Sequence, residues 1–482
     1  MISFKTNLQL SDPNTLHPHY CSGLRDKYLC LPLFEGLTRA SPGGVIQNAA
    51  AESIHIDTTQ TIYTFTIRSH QWSNGEPVTA YHFEKSWKHA LLPSSICEES
   101  ELFYVIKHAE EAKKGKTDID SVGIQAVNDR TLVVELKKPT PYFLALLADP
   151  SFSPLYQIDE EPTVFNGPFI LAEWSHNKHM LYKRNPYYWD HASVSLDEIS
   201  VAMITNLDTA FSLYEKGELD LIGDPFSPIP LEYLEKLEQS DLLHIKEIAR
   251  IYWLYCNTET FPLNQAAFRR ALALAIDRKK LAEDLLLQMP IATLQPSFFS
   301  LLPDEEKEYV NITEAHDIFE QYGQEQFPLT LHYPNCGANK KTAEYLQQQW
   351  TKVLGLKVQL QCSDWNTFYS DLTKGAIQMG ICFRSCWYND PYFYLSVFKD
   401  RNHPLNNSQW ENDAYKQLLE EADQHIESRE YYLQRAERMI MQEMPVIPLC
   451  SQKYHYLLND RFEGLYINDL GLVDFKWVRI KK

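Results

Sequence analysis

The chain has 482 residues, of which 44% are apolar, and this is enough to build the cores of two to four domains. Its formal net charge of −19 repels phosphate backbones and so argues against nucleic acid as a partner. No apolar run approaches the roughly 18–20 residues that cross a bilayer, so we expect no membrane-spanning helix.

Strand and helix patterns are mixed along the whole chain, without an internal repeat. Alternating apolar residues predict strands, and apolar residues three or four apart predict helices. The predicted strands are 2–10, 62–68, 131–136, three within 166–205, 328–333, 356–361, 376–382 and 447–449. The predicted helices are 24–38, 78–92, 139–147, 205–216, 268–286, 314–321, 339–353 and 411–443. This mixture favours an α/β or α+β protein with several lobes.

The helix predicted at 78–92 has the clearest local signals. Asn74 and Gly75 form a tight turn after a strand, and Thr79 is placed to cap the helix amides. Phe83 and Trp87 lie four residues apart and therefore share one helix face.

Motifs for catalysis or metal binding are absent from the sequence. We find no nucleophile elbow, phosphate loop, dinucleotide fingerprint or zinc-protease motif. His17-Pro-His19 supplies only half a metal site, and the nine cysteines include no Cys-x-x-Cys pair. We therefore expect no enzyme activity, no metal and no cofactor. Buried free thiols are favoured over disulfides, and a carboxylate-dependent hydrolase remains as an alternative function.

Seven segments carry a family resemblance, and they occur in that family's order over nearly the whole chain. They are LFEGL (33–37), WSNGEPVTA (72–80), NGPF (166–169), RNPYYW (184–189), GELD (217–220), FRRALALAIDR (268–278) and MPVIP (444–448). Together they resemble the extracytoplasmic oligopeptide- and dipeptide-binding proteins of ABC importers, which are solute-binding proteins of family 5.

The resemblance implies an α/β fold of the two-lobed periplasmic-binding-protein type (type II, peptide-binding class), with an extra subdomain in the first lobe. The implied core of lobe I is 1–38, 155–254 and 453–482, the extra subdomain is 39–154, and lobe II is 255–452. In such proteins the two lobes close over the ligand, and the closed state binds it more tightly. The implied function is capture of peptides and their delivery to an ABC permease in the inner membrane. The implied molecule is a monomer that does not bind nucleic acid.

The resemblance also implies a location in the periplasm or elsewhere outside the cytoplasm, where many members are held by a lipid. After Met1 the chain enters a strand pattern directly, without the basic start and apolar stretch of a secretory leader. A cytoplasmic protein and a removed leader both fit this start, and the resemblance favours a removed leader.

Ligand-binding residues follow from the resemblance by position. Each aromatic residue among them has core packing as its alternative role. The candidates are Tyr104, Tyr252, Trp253, Tyr255, Trp365, Phe383, Arg384, Ser385, Trp387, Asn389 and Asp390. The backbone of Phe383–Ser385 matches the stretch that pairs with the peptide main chain in the family.

One departure from the family concerns the ligand's amino terminus. Trp387, in Cys386-Trp-Tyr-Asn-Asp-Pro391, stands where oligopeptide binders carry the Asp that pairs with the peptide's α-ammonium. Three alternatives follow: Asp390 or Asp26 supplies the charge, Trp387 makes a cation–π contact, or the ligand has no free amino terminus.

The third alternative points to a modified or cell-wall-derived peptide, and a metal chelate, haem or sugar is a further possible cargo. Leu372 and Ile381 also stand where some relatives carry basic residues near the peptide's far end. Arg384 is the candidate to replace those residues.

Overall fold

The computed structural model describes residues 1–9, 12–21, 23–97, 99–223, 227–237, 241–285, 288–307, 309–322, 327–336 and 338–482. Two residues at the ends of predicted elements, Leu10 and Leu286, lie outside these ranges. Among the helices described, none is long and apolar enough to cross a membrane.

The chain divides into two compact units, which we call the discontinuous unit and the inserted unit. The discontinuous unit comprises Met1–Lys246 and Tyr454–Lys482, and the inserted unit comprises Glu247–Lys453. The sequence placed the two crossings at 254/255 and 452/453. The separation of 39–154 as a subdomain stays a prediction.

Within the described ranges, the strands of the discontinuous unit are short. Two long strands, β12 and β17, begin in one unit and end in the other. The strands of the whole chain are β1 (Ser3–Leu8), β2 (Thr38–Ala40), β3 (Ile46–Asn48), β4 (Ala51–Ile56), β5 (Ile62–Ile67), β6 (Ile124–Asn128), β7 (Thr131–Glu135), β8 (Phe169–Ser175), β9 (His179–Arg184), β10 (Glu198–Met203), β11 (Leu221–Gly223), β12 (His244–Cys256), β13 (Gln288–Pro290), β14 (Leu329–Pro334), β15 (Val358–Ser363), β16 (Met379–Ser385), β17 (Val446–Leu458), β18 (Phe462–Glu463), β19 (Tyr466–Ile467), β20 (Val473–Asp474) and β21 (Arg479–Ile480).

The α-helices within the same ranges are α1 (Gly23–Cys30), α2 (Ala80–Ala90), α3 (Ala109–Lys113), α4 (Phe143–Leu146), α5 (Leu207–Glu215), α6 (Leu231–Leu237), α7 (Ala266–Leu274), α8 (Arg278–Leu285), α9 (Ile312–Glu320), α10 (Asn339–Leu354), α11 (Trp365–Thr373), α12 (Tyr392–Ser396), α13 (Asp413–Gln424) and α14 (Arg429–Glu443).

The discontinuous unit is built on two four-stranded sheets. One has the order β1-β10-β9-β8, with β1 parallel to β10 from Ser3↔Glu198 to Leu8↔Met203. The other has the order β4-β5-β7-β6 and is antiparallel throughout. The second sheet is flanked by α2, where Thr79 is the N-cap as predicted and its backbone N–H donates to His82 Nδ1 at 3.0 Å.

The inserted unit is built on the strands β17-β12-β16-β14-β15, and β13 pairs with β17. Parallel pairing of β14 with β15, from Leu329↔Val358, is the arrangement expected when a helix such as α10 connects two strands. Trp350 of α10 is fully buried and donates from Nε1 to Leu272 O of α7 at 3.0 Å. This contact anchors both helices to the unit's core.

Two predicted helices are each divided in two in the structure. The helix predicted at 268–286 ends at Leu274, and Asp277 then accepts a hydrogen bond from Lys280 N at 3.1 Å, so that it caps a second helix. The helix predicted at 411–443 is interrupted by the 3₁₀ turn Ile426–Ser428. The prediction missed both breaks because helical periodicity continues across them.

A buried ionic network inside the discontinuous unit joins residues near the start of the chain to a residue near its end. Arg39 donates to both carboxylate oxygens of Asp474, at 2.8 and 2.9 Å, and to Glu35 at 2.7 Å. Tyr188 donates to the same Glu35 oxygen at 2.7 Å. All four side chains are buried, so each charge depends on its partners.

We predict that Arg39→Met destabilises the protein by about 3–5 kcal/mol, because two buried carboxylates lose their counter-charge. Arg479→Met is the matched control, since Arg479 pairs with Glu463 at 2.8 Å on the surface, where its side chain is 61% exposed. That variant is expected to lose at most about 1 kcal/mol. Urea unfolding of both variants measures the difference, and equal losses would contradict a structural role for the network.

Candidate functional site

Strands β12 and β16 hold most of the residues that the sequence proposed for ligand binding. They pair antiparallel from Arg250↔Ser385 to Cys256↔Met379. Successive side chains of a strand point to opposite faces, and directly paired residues share a face. The pairing therefore places Tyr252 beside Phe383 on one face, and Arg384 on the other face.

The first face carries a group of aromatic rings, Tyr252, Trp365, Tyr369 and Phe383, which we call the aromatic platform. The Trp365 ring stacks on Phe383 at 5.6 Å between centroids and on Tyr369 at 5.5 Å. Tyr252 lies 6.3 Å from Phe383. Trp365 is 37% exposed and the other three rings are half-buried, so the platform is accessible to a ligand.

A cation borders the platform. The guanidinium of Arg250 lies 5.2 Å from the centre of the Phe383 ring. Arg250 is held there because Nε donates to Ser385 Oγ at 2.8 Å and Nη1 donates to Gln452 Oε1 at 3.2 Å. The predicted residue Ser385 therefore positions Arg250.

The edge of β16 that faces away from β12 is largely unpaired. Strand β14 pairs with it only at Met379 and Gly380, and no strand in the described part of the chain pairs with Ile381–Ser385 on that side. We call Ile381–Ser385 the open edge of β16. In an antiparallel pair, alternate residues direct both N–H and C=O away from the partner strand. The open edge can therefore accept an extended chain as an additional strand.

The second face of the β12–β16 pair is buried. Trp253 has no exposed surface, and its Nε1 donates to Leu294 O at 2.9 Å. Its ring packs against Tyr394 and Phe398 at 5.9 and 5.5 Å. This geometry is that of a core residue, so Trp253 offers no surface to a ligand.

Tyr255 and Arg384 meet on the same buried face. Arg384 donates to the hydroxyl oxygen of Tyr255 from Nη2 at 2.9 Å and from Nε at 3.3 Å. Both residues are buried, and burial raises the pKa of Tyr255 to about 12. The phenol is therefore neutral at physiological pH, and it does not balance the charge of Arg384.

The loop after β16 holds Trp387, Asn389 and Asp390. Trp387 and Asn389 are half-buried, and the Trp387 ring lies 5.8 Å from Phe393. Asp390 is buried and accepts two hydrogen bonds from Arg429, at 2.7 and 3.0 Å. Its charge is therefore already balanced, which leaves it poorly suited to pair with a ligand ammonium.

Two proposed residues lie apart from this group, in the discontinuous unit. Asp26 is buried and pairs with Arg25 at 3.0 Å, so its charge is also balanced. Tyr104 is half-buried in the 3₁₀ helix Ser100–Val105. The other ten proposed residues all belong to the inserted unit.

Sequence reasoning missed two members of the site, Tyr369 and Arg250. Tyr369 follows Trp365 by four residues on α11, and this spacing places both rings on one helix face. Arg250 precedes Tyr252 by two residues, and this spacing places both side chains on one strand face. Both signals were present in the sequence.

Metal binding has no support in the part of the chain that the structure describes, where no group of three or more His, Cys, Asp or Glu side chains is arranged to hold an ion. His17 stacks on Tyr20 at 4.0 Å, and its Nε2 lies 2.8 Å from Ile158 O. Burial lowers the pKa of both His17 and His19. These histidines belong to the packing of the discontinuous unit.

Comparison with known proteins agrees with the family that the sequence motifs indicated. The sequence profile described as "Bacterial extracellular solute-binding proteins, family 5 Middle" matches residues 45–404. The oligopeptide-binding protein OppA of Bacillus subtilis (strain 168) is 33% identical over an alignment of 506 positions, which covers 98% of this chain and 92% of that protein.

Solved structures agree with this result. The unliganded open form of MppA, titled a periplasmic murein tripeptide binding protein, matches with a TM-score of 0.87 and 25% identity, over 99% of this chain and 97% of that one. The periplasmic oligopeptide-binding protein OppAIV of Borrelia burgdorferi matches with a TM-score of 0.80 and 27% identity, over the full length of both chains. These likenesses confirm the predicted α/β fold of the type II periplasmic-binding-protein class.

Two tryptophans of the inserted unit provide a test of the two faces. We predict that Trp253→Ala destabilises the protein by about 3–5 kcal/mol, because it leaves a cavity in a packed core. Trp365→Ala removes a partly exposed ring and is expected to cost about 1 kcal/mol. Thermal unfolding followed by circular dichroism compares them. A large loss for Trp365→Ala would place that ring in the core rather than on a binding surface.

Proposed function

Because the chain belongs to the bacterial extracellular solute-binding proteins of family 5, we propose that it captures peptides outside the cytoplasm and delivers them to an ABC permease. It acts by binding and does not catalyse a reaction on its ligand. Attachment to the membrane by a lipid and closure of two lobes over the ligand stay predictions.

The observation that carries this proposal is the open edge of β16 beside the aromatic platform. An extended peptide can pair its main chain with Ile381–Ser385, as strands do when they add to a sheet edge. Main-chain pairing is independent of side-chain identity, so it supports binding of peptides with different sequences. The exposed ring of Trp365 and the half-buried rings beside it supply apolar contact for the peptide's side chains.

The names of similar proteins support a peptide rather than another solute. OppA of B. subtilis is named for oligopeptides, and MppA is titled for a murein tripeptide. A cell-wall-derived or modified peptide is the second candidate cargo. The pairing of Asp390 with Arg429 favours it, because the acid three residues after Trp387 is then already balanced and is poorly suited to receive an α-ammonium.

We predict that peptide binding depends on the aromatic platform. A mixture of short peptides should raise the melting temperature of the wild-type protein, since a ligand at 100 times its dissociation constant stabilises by about 2.7 kcal/mol. Trp365→Ala should weaken binding by about tenfold or more, because stacked rings contribute both area and ring contacts. Isothermal titration calorimetry with single peptides measures the change.

Tyr431→Ala is the control for that experiment, because Tyr431 is an aromatic residue of α14 that is 56% exposed and lies outside the platform. It should leave the affinity unchanged. If no peptide raises the melting temperature of the wild-type protein, or if peptides are cleaved without such a rise, the proposed function fails.

We further predict that Trp387→Asp changes which peptides bind. The new carboxylate can pair with an α-ammonium, and a charged hydrogen bond contributes about 1.5–3 kcal/mol. Peptides with a free amino terminus should therefore gain about tenfold in affinity over their N-acetylated forms.

The matched control is Trp387→Asn. Its amide has the same shape as the carboxylate of the Asp variant but carries no charge, so this variant should show no such preference. Calorimetry with each peptide pair measures the preference. An identical ligand profile for wild type and Trp387→Asp would place residue 387 outside the binding site.

A further inference from the structure

Cys21 and Cys30 are two buried thiols that lie against each other in the discontinuous unit. Their sulfur atoms are 2.9 Å apart. Nonbonded carbon atoms prefer a separation of about 3.5–4.0 Å, and sulfur is the larger atom, so the two sulfurs are closer than ordinary packing brings them. Their separation is only about 0.9 Å longer than a disulfide bond.

The chain reverses between the two cysteines, which are nine residues apart. Cys21 precedes α1, and Cys30 is the last residue of that helix. Gly23, the first residue of α1, has a φ of +78°, in the left-handed region that glycine adopts without strain. This turn lets the preceding chain run back beside the helix. Helical side chains tilt towards the N-terminus, and this directs the Cys30 sulfur towards the returning chain.

Backbone contacts hold residues 15–21 against the end of α1. The Cys30 thiol donates to Leu16 O at 3.2 Å, and the backbone N–H of Cys21 donates to His17 O at 3.0 Å. Thr15 Oγ1 donates to Glu161 at 2.7 Å and so fixes the start of this segment. The surrounding chain therefore positions both thiols, in addition to the contact between them.

The other cysteines of the described ranges are placed differently. Cys382 and Cys386 each donate to a backbone oxygen one or two residues further along the chain. Cys336 and Cys362 are exposed, and the sulfur of Cys336 accepts a hydrogen bond from a side-chain amide. Among the described residues, only the first two cysteines of the sequence share a hydrogen bond between thiols.

Thiol reactivity determines when a bond between the two sulfurs can form. The thiolate is the form that attacks a disulfide, and burial raises the pKa of the Cys30 thiol well above its usual value. The folded, reduced chain therefore holds an inert pair. Oxidation belongs to the time of folding, before the two side chains are buried, and burial afterwards protects the bond from reductants.

We propose that Cys21 and Cys30 form a structural disulfide as the chain folds, with a thiol–disulfide oxidant such as oxidised glutathione as the electron acceptor. One cysteine attacks the oxidant, forms a mixed disulfide and releases one glutathione thiol. The other cysteine then attacks its neighbour's sulfur and releases the second. The pair loses two protons and two electrons, and these convert one oxidised glutathione into two glutathione thiols. A location outside the cytoplasm, which is part of the proposed function, is one where such bonds persist.

Trypsin gives a direct test, because it cuts after Arg25 and Lys27, between the two cysteines. The whole chain is unfolded, reduced, refolded with a mixture of reduced and oxidised glutathione, and then alkylated in denaturant. The disulfide should link peptides 6–25 and 28–39, each of which contains one cysteine. Mass spectrometry should find this linked pair in most chains, and two fewer alkylated thiols than the nine of the reduced chain.

The bond should also stabilise the fold, because it restricts the unfolded chain. The oxidised protein should melt at least about 2 °C above the same protein refolded with a reductant. Cys21→Ser should remove both the linked peptides and this difference. Cys362→Ser, which changes an exposed cysteine of the inserted unit, is the matched control and should retain both.

A full count of alkylated thiols after refolding with oxidised glutathione overturns the inference, as do linked peptides that join other cysteines instead. Equal melting temperatures for the linked and the reduced protein overturn the stabilising role of the bond. Both measurements use the wild-type chain, so a variant that does not fold leaves the test intact. Peptide binding is measured separately, so neither result decides the proposed function.

Discussion

The antiparallel pairing of β12 with β16 determines which side chains of the inserted unit can meet a ligand. Its register, from Arg250↔Ser385 to Cys256↔Met379, assigns every side chain of both strands to one of two faces. One face carries Tyr252 and Phe383 beside the exposed Trp365, and the other carries the buried Trp253. A shift of one residue would exchange these faces and expose the core. The proposed binding surface and the core therefore depend on the same register.

Strand β12 occupies one edge of β16, and most of the other edge stays open beside the aromatic platform. Among the residues that the structure describes, β14 pairs with β16 at Met379 and Gly380 and no further. An unpaired edge in most proteins is a hazard, because it can pair with another chain. Here α11 places Trp365 and Tyr369 next to that edge. The edge is thus short and bordered by side chains, which suits pairing with a short peptide rather than with a second sheet.

The sequence predicted the fold class and most strands and helices, because motif order and apolar periodicity both extend over the whole chain. It predicted the position of α10 at 339–353, and the structure has Asn339–Leu354. It did not separate Trp253 from Tyr252, although adjacent strand residues cannot share a face. That distinction required only the strand assignment.

Other features depend on contacts that no local pattern records. The Asp390–Arg429 pair joins residues 39 positions apart, and the Arg39–Asp474 pair joins residues 435 apart. The sequence offered Asp390 as a counter-charge for a ligand because its partner was not visible. Whether a carboxylate is free or already paired is a property of the folded chain, so charged site residues are harder to predict than aromatic ones.

The overall charge and the charge of the site have opposite signs, and distance decides which one a ligand experiences. The net charge of −19 repels an anionic peptide at long range, but salt screens this field beyond about 8–10 Å. Arg384, by contrast, is a cation held in a buried environment, where screening is weak. Arg250 adds a second cation beside Phe383. The cations near the platform therefore act at a range at which the net charge is screened, and the net charge affects mainly how fast a charged ligand approaches.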